Sequence, residues 1–362
     1  MTLLELCLSP DFGGLEIFFR DFSRWLASRS EVRLHLSVRS GSRLAQELAD
    51  LKLPTLEFET RSGAFPWSAA RTLARYIREH EIDALHIHWK DDLPLAALAR
   101  RLAGRKVKLI HSRHMDLPGA KKDPYHHFLY SSVDCYHTIT KALAAQAAAN
   151  LPIPRERIRH VYLGASVPAT AGHSRSEVRK NLGLDDRFAV GVVGRISEYK
   201  GQHLLVDAIW QLRDRGVEVQ GLIAGHAMEP DYLEGLKARV REAELENQVK
   251  FLGFLKEPYE VIRVLDALAL TTVKETFGLV LVEAMLLGVP VIGSKAGGVP
   301  EIIEHGRSGM LFESENSTAL ADAIEKLAGD RGLASRLAAT GQERARREFD
   351  RDTQNAKLLE LL

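Results

Sequence analysis

Short apolar runs alternate with amphipathic stretches along almost the whole chain of 362 residues. Apolar runs of about four to eight residues are typical of strands buried in a parallel sheet, whereas apolar residues spaced three and four apart are typical of helices. The runs that we predict to be strands are Leu3–Leu8, Val32–Val38, Thr55–Phe58, Ala84–Trp89, Lys108–Ser112, Cys135–Ile139, Ile158–Leu163, Phe188–Val193, Val219–Ala224, Val249–Phe254, Ala267–Thr272, Pro290–Gly293 and Met310–Phe312. The predicted helices between them include Leu15–Leu26, Ser68–Arg78, Pro94–Leu102, Gln202–Arg213, Asp231–Ala243, Leu279–Leu287, Ser317–Ala328 and Leu333–Phe349. Such alternation predicts βαβ units and therefore parallel α/β sheets.

The alternation is interrupted once, at a stretch from Gly164 to Ser176 that is rich in Ala, Ser, Pro, Thr and Gly. We interpret it as a linker and hinge between two doubly wound domains, residues 1–165 and 177–345. Residues 346–362 are predicted to form a C-terminal helix that packs back on the first domain. The two domains are expected to face each other across a cleft, with ligands at the carboxyl ends of the strands.

Composition places the chain among ordinary soluble globular proteins, with 45% hydrophobic and 27% charged residues. No apolar run approaches the roughly 18 residues that a membrane span needs. The N-terminus lacks a basic leader and contains Glu5, Asp11 and Glu16, so we expect a cytoplasmic protein. Cys7 and Cys135 lie in strand-like runs and are expected to be reduced and packed.

Charge is distributed unevenly between the two halves of the chain. Residues 1–165 carry 24 Lys and Arg against 18 Asp and Glu, and residues 166–362 carry 25 against 30. The densest basic stretch contains Arg100, Arg101, Arg105, Lys106, Lys108, Arg113, Lys121 and Lys122. It is either a solvated surface or a contact for an anionic partner, such as a phosphorylated acceptor or an acidic membrane face. Nucleic acid is disfavoured because aromatic residues are not interleaved with the basic ones.

The segment from Glu275 to Glu283 carries the strongest chemical signal. It follows the predicted strand Ala267–Thr272, turns at Gly278 and continues as an apolar helix. Free N–H groups and a positive dipole make a helix start suitable for phosphate, and carboxylates are good acceptors for sugar hydroxyls. This segment therefore predicts a ligand that combines a phosphate with hydroxyl-rich rings.

Two further loops follow predicted strands. Arg195 and Lys200 lie in Val193–Gly201, where a guanidinium and an ammonium could neutralise a diphosphate. Gly13 and Gly14 follow the first strand and would let the backbone approach a ligand closely, although an ordinary tight turn is the alternative.

Histidines mark the ends of two strands in the first domain. His114 follows the fifth strand and could donate to a sugar hydroxyl or move a proton, and His111 is the alternative for that role. His86 and His88 alternate along a strand and point to one face. No third ligand completes a metal set with them at ligand spacing, so we predict no metal site there. Asp350 and Asp352 have a D-x-D form but are interpreted as an acidic pair at a helix end.

Taken together, these motifs resemble family 4 of the retaining glycosyltransferases, which have the GT-B architecture of two Rossmann-like domains. The resemblance covers nearly the whole chain and is strongest from Phe188 to Phe312. Its elements are Gly13-Gly14, His114, Gly194-Arg195, Lys200-Gly201, Leu252-Gly253, Glu275 to Glu283, Ala296-Gly-Gly-Val-Pro-Glu301 and Gly306-x-x-Gly309. Each motif alone is common, whereas the ordered set is specific.

The resemblance implies a hexose-type nucleotide-sugar donor, with UDP as the first expectation, held mainly by the second domain. Arg195 and Lys200 would bind the diphosphate, together with the turn at Gly13 and Gly14. Glu283 would accept hydrogen bonds from the ribose hydroxyls. The nucleotide base would pass the segment Leu252-Gly253.

Catalytic roles are implied for Glu275, which would contact the transferred sugar, and for His114, which would touch that sugar from the first domain. The backbone N–H groups of Phe277, Gly278 and Leu279 would also contact the sugar. Transfer would retain the anomeric configuration through an oxocarbenium-like transition state, without a metal or other cofactor.

The acceptor implied by the resemblance is a cell-envelope glycan or glycolipid bound to the first domain. Length and the hydrophilic stretch from Asp116 to Lys122 are most similar to the lipopolysaccharide-core hexosyltransferase branch. The enzyme would be cytoplasmic, with peripheral contact to an anionic inner membrane. A sugar-nucleotide epimerase, a phosphorylase and a non-catalytic sugar-nucleotide sensor are the alternatives.

The chain departs from the family pattern in three places. Leu163-Gly164 replaces the usual Asn-Gly, Thr271-Thr272 replaces the usual Pro-Ser before the first glutamate, and His226 follows Gly225 in place of a second glycine. None of these changes removes a charged ligand, but each could alter the choice of donor.

Overall fold

The computed structural model describes residues 1–59, 66–117, 119–168 and 173–362, and these form two compact units. Unit 1 consists of Met1–Tyr162 together with Gln354–Leu362, and unit 2 consists of Leu163–Thr353. Four residues of the predicted linker and hinge, 169–172, and Pro118 of the hydrophilic stretch lie outside the described residues.

Unit 1 is built on a parallel sheet with the strand order β3-β2-β1-β4-β5-β6-β7. The strands are β1 (Thr2–Cys7), β2 (Arg33–Arg39), β3 (Thr55–Phe58), β4 (Ala84–Ile87), β5 (Lys108–Arg113), β6 (Cys135–Thr138) and β7 (Ile158–His160). The helices are α1 (Gly14–Ala27), α2 (Arg43–Leu48), α3 (Trp67–Glu79), α4 (Leu93–Leu102), α5 (Pro124–Tyr130) and α6 (Lys141–Asn150). Helices cover both faces: Phe18, Phe19 and Phe22 of α1 pack against histidines of one face, and α3 and α4 bury Leu73, Ile77 and their neighbours against the sheet.

Unit 2 repeats the same architecture with a second parallel sheet, in the order β10-β9-β8-β11-β12-β13. Its strands are β8 (Phe188–Val193), β9 (Val219–Ala224), β10 (Val249–Gly253), β11 (Ala267–Leu270), β12 (Val291–Ser294) and β13 (Met310–Phe312). Its helices are α7 (Arg175–Asn181), α8 (Gln202–Asp214), α9 (Pro230–Glu242), α10 (Tyr259–Ile262), α11 (Leu279–Leu286), α12 (Val299–Ile302), α13 (Ser317–Gly329) and α14 (Arg331–Glu348), and α15 (Arg351–Leu359) follows. A large apolar core of buried Val, Leu, Ile and Ala joins sheet and helices.

The strand orders place a switch point in each sheet, between β1 and β4 in unit 1 and between β8 and β11 in unit 2. At such a point the connections leave in opposite directions, which opens a crevice at the carboxyl ends of the strands. The prediction of two doubly wound sheets is confirmed. The loops that carry Gly13-Gly14, Arg195 with Lys200, and Glu275 follow strands β1, β8 and β11, which flank these switch points.

Strand β11 ends two residues earlier than predicted, at Leu270. The hydroxyls of the next two residues, Thr271 and Thr272, contact carbonyls of the loop after β8. The prediction was too long because the apolar run gives no sign of these hydroxyl contacts.

Candidate functional site

The switch point of unit 2 brings together the loop after β8 and the loop after β11. Thr271 Oγ1 donates to the carbonyl of Lys200 over 2.9 Å. Thr272 Oγ1 shares its proton between the carbonyls of Tyr199, at 3.1 Å, and Lys274, at 2.8 Å. The N–H of Val273 also donates to Tyr199, over 2.9 Å. These contacts give the Thr271-Thr272 departure a structural role, because both hydroxyls hold the loop that carries Lys200.

Gly201 ends this loop in the left-handed conformation, with φ of 68°. A Cβ at this position would lie 2.3 Å from the carbonyl oxygen of Thr271. Only glycine lets the backbone approach so closely at positive φ. The position of Lys200 is therefore set by backbone packing as well as by the threonine hydroxyls.

Lys200 and Glu275, both predicted site residues, form an ion pair with 2.7 Å between Nζ and Oε2. The two side chains are 19% and 17% exposed, so the pair is partly shielded from water yet open to a ligand. A cation and a carboxylate thus lie side by side at the carboxyl edge of the sheet. Together they could contact a phosphate and a neighbouring hydroxyl.

The backbone of Glu275 is held from behind by the predicted glycine motif at Gly297-Gly298. Gly298 N–H donates to the carbonyl of Glu275 over 3.0 Å. Gly297 has φ of 51°, and a Cβ there would lie 1.7 Å from that same carbonyl oxygen. The motif consequently acts through packing, since it fixes the backbone of the glutamate.

Helix α11 begins after Gly278, which caps it at φ of 103°. Leu281 N–H donates to the carbonyl of Gly278 over 3.0 Å, so the N–H groups that precede Leu281 are the ones suited to an oxygen-rich ligand. Phe277, by contrast, is 2% exposed and packs its ring edge-on against Phe349, with centroids 5.9 Å apart. Its contribution to binding is limited to the backbone.

Glu283, one of the two carboxylates predicted to face hydroxyls, lies on α11. The hydroxyl of Tyr259 on α10 donates to its Oε1 over 3.4 Å. Sequence reasoning missed Tyr259, because nothing in the local pattern links it to a glutamate 24 residues later.

Arg195 is exposed, and its side chain forms no ion pair with any residue that the structure describes. Its carbonyl accepts from Gln202 Nε2 over 2.8 Å, which fixes the backbone while leaving the guanidinium available. Nearby, a Cβ on Gly225 would lie 1.7 Å from the carbonyl oxygen of Gly194. Here too glycine permits close packing of two loops at the carboxyl edge.

The segment Leu252-Gly253 lies at the end of β10, where the register shifts between Phe251 and Gly253. The carbonyl of Gly253 accepts from Gly225 N–H over 2.8 Å, which ties the segment to the same edge. The next residue, Phe254, is 72% exposed. Sequence reasoning missed this ring, which is free to stack on a planar group.

In unit 1 the glycine turn after β1 caps helix α1. Gly13 N–H donates to Glu16 Oε2 over 2.7 Å, so the Glu16 carboxylate is used within the fold. A phosphate contact at this turn would therefore come from Gly14. A Cβ on Gly14 would meet nothing within 4 Å.

His111 lies on β5 and His114 comes directly after that strand, but the two side chains have different environments. His114 is 8% exposed, lies with Nε2 3.2 Å from His88 Nδ1, and packs against Phe18. His111 is fully buried between Tyr130 and Tyr136, and neither ring nitrogen has a partner among the described residues. Burial lowers the pKa of both imidazoles well below the usual value. These positions favour His114 as the histidine within reach of a ligand.

A third group of the metal-ligand type does lie beside His86 and His88, so the prediction that none completes a set with them at ligand spacing is wrong. Glu5, 81 residues earlier, lies opposite His86 in the register of β1 with β4. Within the described part of the chain, one oxygen or nitrogen from each of these three residues lies within 4.8 Å of the others. Sequence spacing could not show this, because strand pairing brings Glu5 there.

The side chains of this cluster are nevertheless bonded to one another, because Glu5 forms a hydrogen bond with each of the two histidines. Glu5 Oε1 lies 2.8 Å from His86 Nδ1, and Glu5 Oε2 lies 2.7 Å from His88 Nε2. Both carboxylate oxygens are thus already paired with imidazole nitrogens. The rings of Phe19 and Phe22 pack edge-on against His88 and His86 and close the cluster on the helix side.

Part of the predicted basic surface is used for internal contacts. Arg113 is 5% exposed and donates to the carbonyls of Met115 and Asp116, so it does not contribute to a surface patch. Arg100 pairs with Asp134, and Arg101 stacks over Phe128 at 3.8 Å. The predicted patch is therefore smaller than its sequence suggests.

The helix-end acid and the two cysteines, which were not predicted to belong to the site, have structural roles. Asp350 accepts from Thr353 N and Oγ1, as expected of an acid at a helix start. Cys7 and Cys135 are free and buried. Among the described residues, no helix is long and apolar enough to span a membrane.

Two family models match the chain in adjoining halves. The model described as Glycosyltransferase Family 4 matches residues 12–167, and the model described as Glycosyl transferases group 1 matches residues 174–344. The second match contains Lys200, Glu275 and Glu283, and the first contains His114.

Individual relatives agree with these models. N-acetyl-alpha-D-glucosaminyl L-malate synthase of Bacillus anthracis is 26% identical over 286 residues, 77% of this chain and 74% of the relative. Alpha-D-kanosaminyltransferase of Streptomyces kanamyceticus is 32% identical over 51% of this chain and 49% of the relative. The solved structure of Anabaena HepE (Alr3699) in complex with UDP is 26% identical, with a TM-score of 0.87 over 99% of each chain. HepE has also been solved in complex with UDP-glucose.

The fold, the ordered motifs and the matches over both halves lead to one assignment. The chain belongs to the glycosyltransferases of the GT-B fold, with an N-terminal half of the family 4 type and a C-terminal half of group 1.

Proposed function

We propose that this glycosyltransferase moves a hexose-type sugar from a UDP-linked donor to a cell-envelope glycan or glycolipid, with retention of anomeric configuration and without a metal ion. The observation that carries the proposal is the Lys200–Glu275 pair beside the N-terminus of α11. The complexes of HepE with UDP and UDP-glucose support the choice of donor.

The donor would lie along the carboxyl edge of the unit 2 sheet. Lys200 and the exposed Arg195 would bind the diphosphate, with a further N–H from Gly14. Glu283 would accept from the ribose, and the base would lie by Leu252-Gly253. Phe254 offers a flat apolar surface beside that segment.

Bond cleavage would separate the anomeric carbon from the diphosphate oxygen. An acceptor oxygen would bond to that carbon on the same face, and its proton would pass to the leaving diphosphate. Arg195 and Lys200 would stabilise the negative charge that grows on the leaving group, a role that a divalent ion fills in other enzymes. Glu275 and the first-turn N–H groups of α11 would orient the sugar hydroxyls, and His114 would contact the same sugar.

The acceptor is expected to bind to unit 1, where an exposed surface of α3 and α4 suits an anionic membrane. Arg71, Arg75, Arg78 and Leu102 line a cavity of about 470 Å³ there. Trp67, at the start of α3, is 51% exposed, as a side chain at a membrane interface often is. This surface supplements the part of the predicted patch that remains exposed, including Lys106 and Lys108.

Donor turnover tests the proposal. The full-length protein is incubated with UDP-glucose and a panel of other nucleotide sugars, with EDTA or with added Mg²⁺, and released UDP is measured. We expect hydrolysis or transfer that persists in EDTA. Activity that strictly needs the divalent ion would overturn the metal-independent mechanism, and the anomeric configuration of the product decides retention.

Glu275→Ala tests the role of the carboxylate separately. Turnover should be lost, whereas UDP should bind at least as tightly as in the wild type, because Lys200 is released from its ion pair. Glu246→Ala removes an exposed carboxylate of the same unit and serves as the control. Full turnover in Glu275→Ala would rule out this assignment.

Membrane contact has its own test. Sedimentation with vesicles that contain an anionic lipid should decrease as salt rises, because exposed charges are screened. Arg71→Gln combined with Arg75→Gln should reduce it, and an absence of binding at low salt would contradict the proposed docking.

A further inference from the structure

A continuous chain of buried polar groups runs across four adjacent strands of unit 1 and ends at His114. Glu5 on β1 lies opposite His86 on β4, and Ser112 on β5 lies opposite His137 on β6. All four side chains are at most 1% exposed. These side chains are shielded from bulk solvent and lie within hydrogen-bonding distance of one another, so the direction of each bond can be deduced from the donors and acceptors available.

The direction is set at the far end by a backbone carbonyl. His137 Nε2 lies 2.9 Å from the carbonyl oxygen of Val161, which can only accept. His137 therefore carries its proton on Nε2. Burial lowers the pKa of His137 to about 3, so the ring is neutral and its Nδ1 accepts from Ser112 Oγ over 2.6 Å.

Ser112 is linked to Glu5 through His86. Since the Ser112 proton points to His137, Ser112 Oγ accepts from His86 Nε2 over 2.7 Å. The other nitrogen of His86 faces Glu5 Oε1 at 2.8 Å, and one further proton must lie between them. Burial alone would raise the pKa of Glu5, but the two imidazoles that face its oxygens outweigh burial and lower the pKa to about 2. Glu5 is therefore a carboxylate, and both of its oxygens accept.

The chain then reaches His114 through His88. Glu5 Oε2 accepts from His88 Nε2 over 2.7 Å. Burial lowers the pKa of His88 to about 4, so His88 is neutral and its Nδ1 has a free lone pair. That lone pair lies 3.2 Å from His114 Nε2, which must donate to it.

We propose that Glu5 and His88 are positioning residues that hold His114 as the neutral tautomer with its proton on Nε2, so that Nδ1 presents a hydrogen-bond acceptor to the ligand. A histidine held in this way accepts from a sugar hydroxyl and cannot donate to one. This assignment reverses the donor role that sequence alone suggested for His114. Its meaning for catalysis rests on the proposed function, whereas the tautomer itself does not.

Two substitutions at Glu5 separate hydrogen-bond direction from charge. In Glu5→Gln the amide oxygen can still accept from His88, while the amide N–H can donate to a neutral His86. The direction of the chain is then kept without any charge, and His114 should keep its tautomer. Glu5→Met fills a similar volume but has no acceptor, so His88 is free to reverse and His114 should exchange between tautomers.

His88→Phe removes the acceptor of His114 directly and retains a ring of similar shape. His35→Gln is the matched control, because it removes another fully buried imidazole of unit 1. His35 forms a hydrogen bond with Tyr76 and lies outside this chain of hydrogen bonds. Thermal unfolding of each variant identifies any that fails to fold.

Imidazole ¹⁵N chemical shifts of the full-length protein, labelled at histidine, report the tautomer. The His114 signals are assigned by their loss in His114→Gln. In wild type, Glu5→Gln and His35→Gln we expect an unprotonated Nδ1 and a protonated Nε2, and in His88→Phe and Glu5→Met we expect averaged shifts. A protonated Nδ1 on His114 in the wild type would overturn the proposal, and so would unchanged His114 shifts in a folded His88→Phe.

Binding and turnover distinguish this proposal from the proposed function. UDP affinity should be equal in all variants, because none of the substituted side chains is among the groups assigned to the diphosphate, which are Lys200, Arg195 and Gly14. In contrast, kcat/KM for the donor should fall about tenfold or more in His88→Phe. If UDP does not bind the wild type, the proposed function fails and the tautomer result still stands. If kcat/KM is unchanged in His88→Phe although the tautomer is lost, the positioning role is refuted.

Discussion

Glycines in this protein divide into those that the fold itself requires and those that it does not. Gly297 has φ of 51°, and a Cβ there would lie 1.7 Å from the carbonyl oxygen of Glu275. Gly14 has no such constraint, since a Cβ would meet nothing within 4 Å. Because packing does not explain Gly14, space for a ligand is the remaining physical reason for a missing side chain there.

Alanine substitution at the two glycines should separate stability from binding. We expect Gly14→Ala to keep or slightly raise the melting temperature, because an alanine lowers the conformational entropy of the unfolded chain and so stabilises the fold by about 0.4–1 kcal/mol. The same substitution should raise the KM for the donor. Gly297→Ala should lose roughly 2 kcal/mol or more of stability, because both its φ and its contact are unfavourable for a side chain. Unchanged donor kinetics in Gly14→Ala would show that the turn does not approach the donor.

The Lys200–Glu275 pair makes the contribution of the lysine depend on its partner. Lys200→Ala removes a cation and also leaves the Glu275 carboxylate unpaired beside the expected diphosphate. We therefore expect UDP binding, measured by calorimetry, to weaken by about 2–3 kcal/mol, more than in Arg195→Ala at about 1.5 kcal/mol.

Adding Glu275→Gln to Lys200→Ala should recover part of this loss, since the repulsion disappears. Arg241→Ala, an exposed arginine on α9, is the control for net charge. Additive effects of the two substitutions would mean that the pair is not coupled during nucleotide binding.

At the scale of elements, the sequence was most informative where burial is uniform. Strands such as β8, β9 and β13 were predicted to the residue because a strand buried on both faces is mostly apolar. Helix α6 was not recognised, since its alanines at consecutive positions have no helical period. Helix α7 begins inside the predicted linker, and its Ser174–Glu177 capping box was a signal that could have identified it.

Site residues followed the same division between local and distant information. Lys200, Glu275 and Glu283 could be predicted because each lies in a short motif directly after a strand. The partners Glu5 and Tyr259 could not, because they reach the cluster and Glu283 through strand register and helix packing. A single sequence contains no direct record of such pairings.

The hydroxyls of Thr271 and Thr272 contact the loop that carries Lys200, and substitutions can test whether they hold it in place. Thr271→Val and Thr272→Val keep the shape of the side chains but remove the hydroxyls that donate to Lys200 and Tyr199. Each should cost about 1 kcal/mol of stability, and the double variant should bind UDP several-fold more weakly. Thr55→Val is the matched control, since its hydroxyl also donates to a backbone carbonyl but lies in unit 1. Equal UDP affinity in the double variant would show that the loop does not need this clamp.

For the whole molecule, the uneven distribution of buried histidines distinguishes the two units. Burial lowers the pKa of His88 to about 4 and that of His137 to about 3, and it lowers those of His111 and His114 well below the usual value. All four belong to unit 1 and are fully or nearly fully buried. Neutral imidazoles in the folded state make the stability of this unit sensitive to acid.

The sign and range of this effect follow from proton uptake. Between about pH 6.5 and pH 4 the unfolded chain binds protons at these histidines and the folded chain does not, so stability falls as pH falls. At pH 5.5 each group should have lost on the order of 1 kcal/mol, and the sum is a large part of the total stability of a typical domain. Glu5 acts in the same sense over a lower range, because its lowered pKa lets the unfolded chain take up the proton first, so its contribution to stability is lost as the pH falls from about 4.5 to about 2.

Tryptophan fluorescence can follow unit 1 during this change, because three of the four tryptophans, Trp25, Trp67 and Trp89, belong to it. With Trp210→Phe as background, we expect the urea midpoint to fall steeply from pH 7 to pH 5.5. His111→Phe should stabilise the protein and make this dependence shallower by about one proton, since it removes a buried ring whose nitrogens lack partners among the described residues. A midpoint that is constant over this range, or an unchanged slope in His111→Phe, would mean that these histidines are already protonated in the folded protein or stay neutral in the unfolded chain.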